Sequence, residues 1–239
     1  MKVIVTGGAS GLGEAITRRF AGNNANTVYF TYNHSKEKAT MLEKEFSNTK
    51  SFHVDFTNDD SVELFINELP KLAADVLINN AITGFTQVHF HKMDPSLFAN
   101  SFRHNIDPVI RITQKFIAES RKRKSGKIIT ILTSALINKP PVGYAEYVAN
   151  KAYLHSMVKS WATENAAMGI TSNSISPAFM ETNLNNKTDS RVIENLISSN
   201  PNKQLLKEEE VADAVLFLAN ASSQINGNNI IINAGENLL

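Results

Sequence analysis

The chain has 239 residues, with 24 Lys+Arg against 23 Asp+Glu and no cysteine. A formal net charge of +1 gives no electrostatic case for nucleic acid or an acidic membrane surface as partner. The lack of cysteine excludes a disulfide framework and thiolate chemistry. An apolar fraction of 42% is enough to bury an ordinary core, and the expectation is one domain over residues 1–239.

Residues 1–6 are a short, β-branched apolar run that reads as a first strand. It starts at residue 2 and no long apolar stretch follows, so neither signal peptide nor membrane span is expected, and the expected location is cytoplasmic. Later strands are expected at 27–32, 51–54, 75–78, 127–132, 170–175 and 229–232. Between them, residues 14–20, 36–46, 61–72, 106–120, 145–167 and 208–219 repeat apolar side chains at helical spacing. The acidic pairs and triplets at Asp59-Asp60 and Glu208-Glu-Glu210 suit first helical turns, and Arg121-Lys-Arg-Lys124 suits a solvated last turn. Strand and helix in alternation imply a parallel sheet covered by helices on both faces. Residues 179–204, rich in Asn, Ser and Thr, have no clear assignment; they follow the sixth strand at the carboxyl edge, where a substrate lid is expected.

Three groups of residues carry chemistry. Thr6-Gly-Gly-Ala-Ser10-Gly11-Leu12-Gly13, between the first strand and helix, is a glycine turn. Its backbone can approach a diphosphate at the helix N-terminus. The Thr-Gly-x-x-x-Gly-x-Gly spacing is neither the usual dinucleotide fingerprint nor a nucleotide-hydrolysing phosphate loop. Tyr147 and Lys151 stand one helical turn apart on one face, with the Ser134 hydroxyl upstream. A free phenol has a pKa of roughly 10, and a nearby ammonium lowers it. Tyr-x-x-x-Lys alone is common enough to be an exposed helix face, and Ser134 alone could merely end its strand; context separates these readings. Tyr144 has no lysine four positions on. His89 and His91 lack the further ligands a metal site needs, and no metal is expected.

Taken together and in this order, the motifs resemble the short-chain dehydrogenase/reductase family over nearly the whole chain, with a pattern closest to 3-oxoacyl acyl-carrier-protein reductases. The resemblance implies an α/β fold with a Rossmann-type doubly wound parallel sheet of about seven strands. It places Thr6, Gly7, Gly11 and Gly13 in the cofactor turn, with Ser10 and Leu12 inside it. Asp55, followed by Phe56, matches the acid that meets adenine, and Asn79-Asn80-Ala81 matches the strand-four motif. Met180 and Thr182 fall among the cofactor contacts beyond strand six, and Asn105, Ser134, Tyr147 and Lys151 match the catalytic tetrad.

The implied activity interconverts a carbonyl and a secondary alcohol. Tyr147 exchanges the proton on oxygen, and Ser134 polarises the carbonyl. Lys151 lowers the Tyr147 pKa and bonds the nicotinamide ribose, while Asn105 holds a water leading to solvent; otherwise Asn105 simply caps the following helix. Where the family has glycines, Ile82 and Ala178 stand instead. The end of strand two, Tyr32-Asn33-His34-Ser35-Lys36, has no acid to repel a 2′-phosphate. NADP(H) is therefore favoured, with NAD(H) the alternative, although Ser10 occupies the place of the usual basic residue. A homo-oligomer, tetramer or dimer, is expected through helix 145–167, because its apolar residues, including Leu154, Met157, Val158 and Trp161, are read as covering more than one face. The substrate is a small-molecule or carrier-bound carbonyl, with sugar, pteridine and polyketide-type intermediates also open. A catalytically weak nucleotide-binding paralogue is the alternative from another class; it would keep the glycines and lose the tetrad.

Overall fold

The computed structural model describes residues 1–137, 139–180 and 189–236. Seven strands, β1 (Lys2–Val5), β2 (Thr27–Tyr32), β3 (Thr49–His53), β4 (Val76–Asn79), β5 (Gly126–Ile131), β6 (Ile170–Pro177) and β7 (Asn229–Ile232), form one sheet in the order β3-β2-β1-β4-β5-β6-β7. Every pair is parallel. The order turns back between β1 and β4, and a doubly wound sheet opens its ligand crevice at the carboxyl ends beside such a point.

Side chains alternate across the strands, so one strand feeds two cores. Val3 and Val5 of β1 enter the core shared with α1 (Gly11–Ala21) and, farther along the chain, with the terminal helix, Glu208–Asn220; Ile4 enters the core on the opposite face. The first core is filled by Ile16, Phe20, Leu42, Val215 and Leu218, with Leu42 supplied by α2 (Lys36–Glu45). The second is filled from α3 (Asp59–Leu72), α5 (Asp107–Arg123) and α6 (Ala145–Asn165), through Phe65, Leu69, Ile112, Phe116, Leu154, Val158 and Trp161.

The acidic and basic runs fall where the helix dipole favours them. Asp59 and Asp60 open α3, Arg121 to Arg123 close α5, and Glu208 to Glu210 open the terminal helix.

Two helices lie outside the expected set. α4 (Ser96–Asn105) directly precedes α5, and α7 (Ser190–Ser199) lies in the stretch expected to lack an assignment, before the terminal helix, α8. Asp189 starts α7 by accepting from the Arg191 N–H at 2.8 Å. Of its apolar residues, Ile193, Leu196 and Ile197 are half-buried and Val192 is exposed. Thr182 lies outside the described residues.

The structure also corrects the surplus apolar face expected of α6. Leu154, Val158 and Trp161 are buried together in the second core, and Met157 packs against it. Their spacing of four and three places them on one helix face, so the protomer itself uses them.

Candidate active site

The glycine turn is held from both sides. The Gly7 N–H donates to Thr31 Oγ1 at 2.9 Å and the Gly8 N–H to the Thr31 carbonyl at 2.8 Å, tying the turn to β2. From the β4 side, Asn80 Nδ2 donates to the Thr6 carbonyl at 3.0 Å, while Thr6 Oγ1 accepts from the N–H groups of Asn80 (2.9 Å) and Ala81 (3.0 Å). Asn80 thus braces the turn. Gly7 and Gly11 take φ of +66° and +52°, and a Cβ on Gly13 would come within 2.0 Å of the Gly7 carbonyl oxygen. Only glycine allows this closure.

The first α1 hydrogen bond runs from the Glu14 N–H to the Ser10 carbonyl. The N–H groups of Gly11, Leu12 and Gly13 therefore precede any acceptor in their own helix. The Ser10 side chain makes no capping bond. This backbone cradle fits a diphosphate. The side chains of Leu12 and Phe56 are buried in the two cores, so only their backbones remain for a ligand. Met180 packs against the first core. Asn33 is half-buried just past the end of β2. Asp55 Oδ1 accepts from the Thr57 N–H and hydroxyl, at 2.9 and 2.8 Å, which holds its pKa below the ordinary carboxylate value.

Tyr147 and Lys151 lie on α6, beside the end of β5. Lys151 is 8% exposed, and its Nζ donates to the Ile131 carbonyl at 2.7 Å. Burial lowers this ammonium to about 8. Its Nζ stands 5.8 Å from the Tyr147 ring centroid. Loss of water pushes the phenol up to about 12, against the lowering effect of a hydrogen bond with the Thr133 side chain and with a smaller rise from Tyr144. The expected depression of the tyrosine by the lysine is absent from this geometry, because the ammonium is engaged by Ile131 and both groups have lost solvent. Ser134 opens the short 3-10 turn Ser134–Leu136, which packs on α6 and β6. The hydroxyl that meets Tyr147 is that of its neighbour Thr133.

Residues 80–88 run over this site from the end of β4. Phe85 places its ring 4.8 Å from that of Tyr147 and 4.7 Å from that of Tyr144. Asn105, the last residue of α4, holds this segment by accepting from the Thr83 N–H at 2.8 Å and the Thr83 hydroxyl at 2.9 Å. It does not cap α5, whose first turn has no side-chain cap. Asn105, Ile82, Tyr147 and Lys151 also line one cavity of about 10 Å³, room for about one water. Ile82, standing where the family has glycine, therefore forms part of the wall around the lysine. At the other departure, the Ala178 N–H donates to the Ile232 carbonyl at 2.8 Å, extending the β6–β7 edge.

A family profile described as Enoyl-(Acyl carrier protein) reductase matches residues 7–237. The 3-oxoacyl-[acyl-carrier-protein] reductase FabG of Thermotoga maritima is 31% identical over 97% of this chain and 96% of that protein. A solved structure of a short chain dehydrogenase/reductase family protein superposes with a TM-score of 0.87 at 26% identity, over 98% of this chain and 96% of that one. The chain belongs to the short-chain dehydrogenase/reductase family. It is an oxidoreductase with the seven-stranded doubly wound sheet of that family. The acetoacetyl-CoA reductase of Allochromatium vinosum is a further relative, 29% identical over 97% of this chain and 96% of that protein.

Within this short-chain dehydrogenase/reductase, the geometry brings Asn105, Tyr147 and Lys151 together and sets Ser134 one residue from the hydroxyl that touches the phenol. Sequence reasoning missed Thr133, Phe85, the buried Glu146 and the half-buried Ser101 and Asn150. Thr133 adjoins Ser134 and Glu146 adjoins Tyr147, so proximity in sequence was a usable signal for these two. Phe85 and Ser101 carried none.

Proposed function

We propose that the chain uses NADP(H) to interconvert a carbonyl and a secondary alcohol, with 3-oxoacyl thioesters as the substrate class and Tyr147 as the proton donor to oxygen. The observation that carries this is the convergence of Tyr147 and Lys151 on one face of α6 beside the end of β5. The names of the Thermotoga and Allochromatium relatives support the substrate class. When bound, the cofactor supplies the hydride.

The protein's own residues supply the rest. The N–H groups opening α1 hold the diphosphate, and Asp55 meets the adenine. Asn33 leaves room for a 2′-phosphate, with Lys36 and Lys38 opening α2 nearby; Lys38 reaches Glu14 of α1 at 3.5 Å. A phenol with its pKa raised stays protonated at neutral pH, the form that donates during reduction. Ser134 turns toward the substrate oxygen on binding, and Thr133 orients Tyr147. Lys151 bonds the ribose, and Asn105 with the adjoining cavity holds a water beside it.

The whole chain acts as one domain, with residues 179–204 as its lid. The half-buried apolar face of α7 is suited to closing on a ligand. A homo-oligomer, tetramer or dimer, in a reducing cytoplasm completes the proposal. Assay with NADPH and NADH against acetoacetyl-CoA, a 2-enoyl thioester, a keto sugar, a quinone and a dihydropterin tests it. Turnover of acetoacetyl-CoA with NADPH is expected; activity confined to the enoyl thioester would replace carbonyl with alkene reduction.

A further inference from the structure

Glu146, immediately before Tyr147, is 4% exposed. Carboxylates are seldom this buried without partners. Its carboxylate accepts from the Ser101 hydroxyl on α4, from Asn150 Nδ2 at 3.1 Å and from the Thr86 backbone N–H. Asn150 Nδ2 and Asn105 Nδ2 also donate to Ser101 Oγ, at 2.7 and 3.2 Å. Glu146 therefore joins α4, α6 and the segment that carries Phe85. It also shares the 10 Å³ cavity with Asn105, Tyr147, Asn150 and Lys151. Ser101 and Asn150 both donate to one carboxyl oxygen, Oε1, which leaves the second oxygen to carry a proton or to accept one, whereas a glutamine would set an NH2 group there.

We propose that Glu146 is a positioning residue that stores a proton, the internal end of a path that resupplies Lys151, and through it Tyr147, across the water-sized cavity. The role rests on Tyr147 being the proton donor. In reduction the Tyr147 O–H bond breaks and its proton goes to the substrate oxygen, leaving a phenolate. The Lys151 ammonium gives up a proton to restore the phenol and becomes an amine. The Glu146 carboxylic acid then gives its proton to that amine by way of the cavity water. The resulting carboxylate is held by Ser101, Asn150 and the Thr86 N–H until solvent reprotonates it. Oxidation runs each transfer backwards.

The order is consistent with the site's electrostatics. Lys151 at about 8 lies below Tyr147 at about 12, so the phenolate takes the ammonium's proton readily. Burial raises Glu146 above its ordinary value, with the Thr86 N–H working the other way. Among the described residues, the other titratable groups lining the cavity with Glu146 are Tyr147 and Lys151 of its own helix. α4 contributes Ser101 and Asn105 and the 80–88 segment contributes Thr86, none of which titrates in this range.

The test compares wild type, Glu146→Gln and Ser101→Ala in acetoacetyl-CoA reduction with NADPH over pH, with Tyr147→Phe as control. Glu146→Gln should lower kcat roughly tenfold, less than loss of a direct proton donor costs. KM should hardly change, and the limb that Glu146 sets, on which kcat falls as pH rises, should disappear, leaving the one set by Lys151. Ser101→Ala removes a donor that stabilises the carboxylate, so the acid form persists and the limb should move to higher pH. Infrared titration without substrate should show a protonated-carboxyl band that Glu146→Gln lacks. If Glu146→Gln fails to fold, the Ser101→Ala shift and the wild-type band decide. Wild-type kcat and pH profile in Glu146→Gln, with Tyr147→Phe inactive, would overturn the role of Glu146 alone. An active Tyr147→Phe protein would overturn the proposed function itself.

Discussion

Burial lowers Lys151 from the ordinary 10.5 to about 8, a cost of roughly 3 kcal/mol to the folded state while the group is charged, at about 1.4 kcal/mol per pKa unit. Lys151→Met removes that cost but leaves the Ile131 carbonyl without its partner, a loss of about 1–3 kcal/mol. The expected result is an inactive protein that is more stable by about 1 kcal/mol, or about 2–4 °C in Tm. The sign with pH follows from proton binding. Between the folded and unfolded pKa values the unfolded chain binds more protons, so wild-type stability climbs with pH there. The advantage of the Met variant should be full below pH 8 and gone above pH 10.5, as thermal melts at several pH values would show. Tyr147→Phe should cost about 10²–10⁴ in kcat with NADPH binding unchanged by calorimetry, because it deletes the proton donor and almost no volume. The pairing of Tyr147 and Lys151 was legible at this scale because four positions of one helix set it, whereas the hydroxyl beside the phenol is that of Thr133, one residue from the Ser134 expected. Phe85 and Ser101 were not legible, since they reach the site only through tertiary packing. The raised phenol was also hidden: residue types reveal a lysine near a tyrosine, whereas desolvation depends on what covers them.

At the scale of elements, the turn between β1 and α1 is the least tolerant part of the site. Gly13→Ala would put a methyl group 2.0 Å from the Gly7 carbonyl oxygen and 2.7 Å from Asn80 Nδ2, so the turn must open. NADPH affinity should fall at least about tenfold, the equivalent of 1.4 kcal/mol, as read by calorimetry. At the end of β2, Asn33→Asp introduces a charge that repels a 2′-phosphate and accepts hydrogen bonds from a free ribose. The NADPH to NADH affinity ratio should drop about tenfold or more, and a wild type that binds NADH more tightly would refute the cofactor preference. Most elements were legible because buried parallel strands and core-facing helices carry strong periodicity. α4 and α7 were not. Among α4 residues only Asn105 is buried, and α7 buries none, so neither is a core helix, and the apolar face of α7 spans only two turns. The polar composition around α7 further obscured its four apolar positions, Val192, Ile193, Leu196 and Ile197.

Across the whole molecule, alternation of strand and helix made the doubly wound architecture legible, while the order of strands within the sheet depends on crossovers that residue patterns do not reveal. The surplus apolar face expected of α6 was misjudged for a similar reason, since periodicity cannot separate a face buried within the protomer from one offered to a partner. The apolar spot that remains there pairs Tyr153 of α6 with Phe102 of α4, 39% and 38% exposed, their rings 5.2 Å apart. Tyr153→Glu should break an association through this spot, seen by light scattering as a smaller particle with its helical circular dichroism intact; an unchanged mass would move the interface elsewhere. The central place of β1 has a further consequence, for biogenesis. Its neighbours are β2 and β4, so β1, translated ahead of both, must wait for residues 76–79 before its second edge is paired. During that interval the nascent chain carries an apolar strand open to adhesion. The long sequence separation of such pairings slows folding, which makes this stage of synthesis the one at which a holdase chaperone would most improve the yield of native protein.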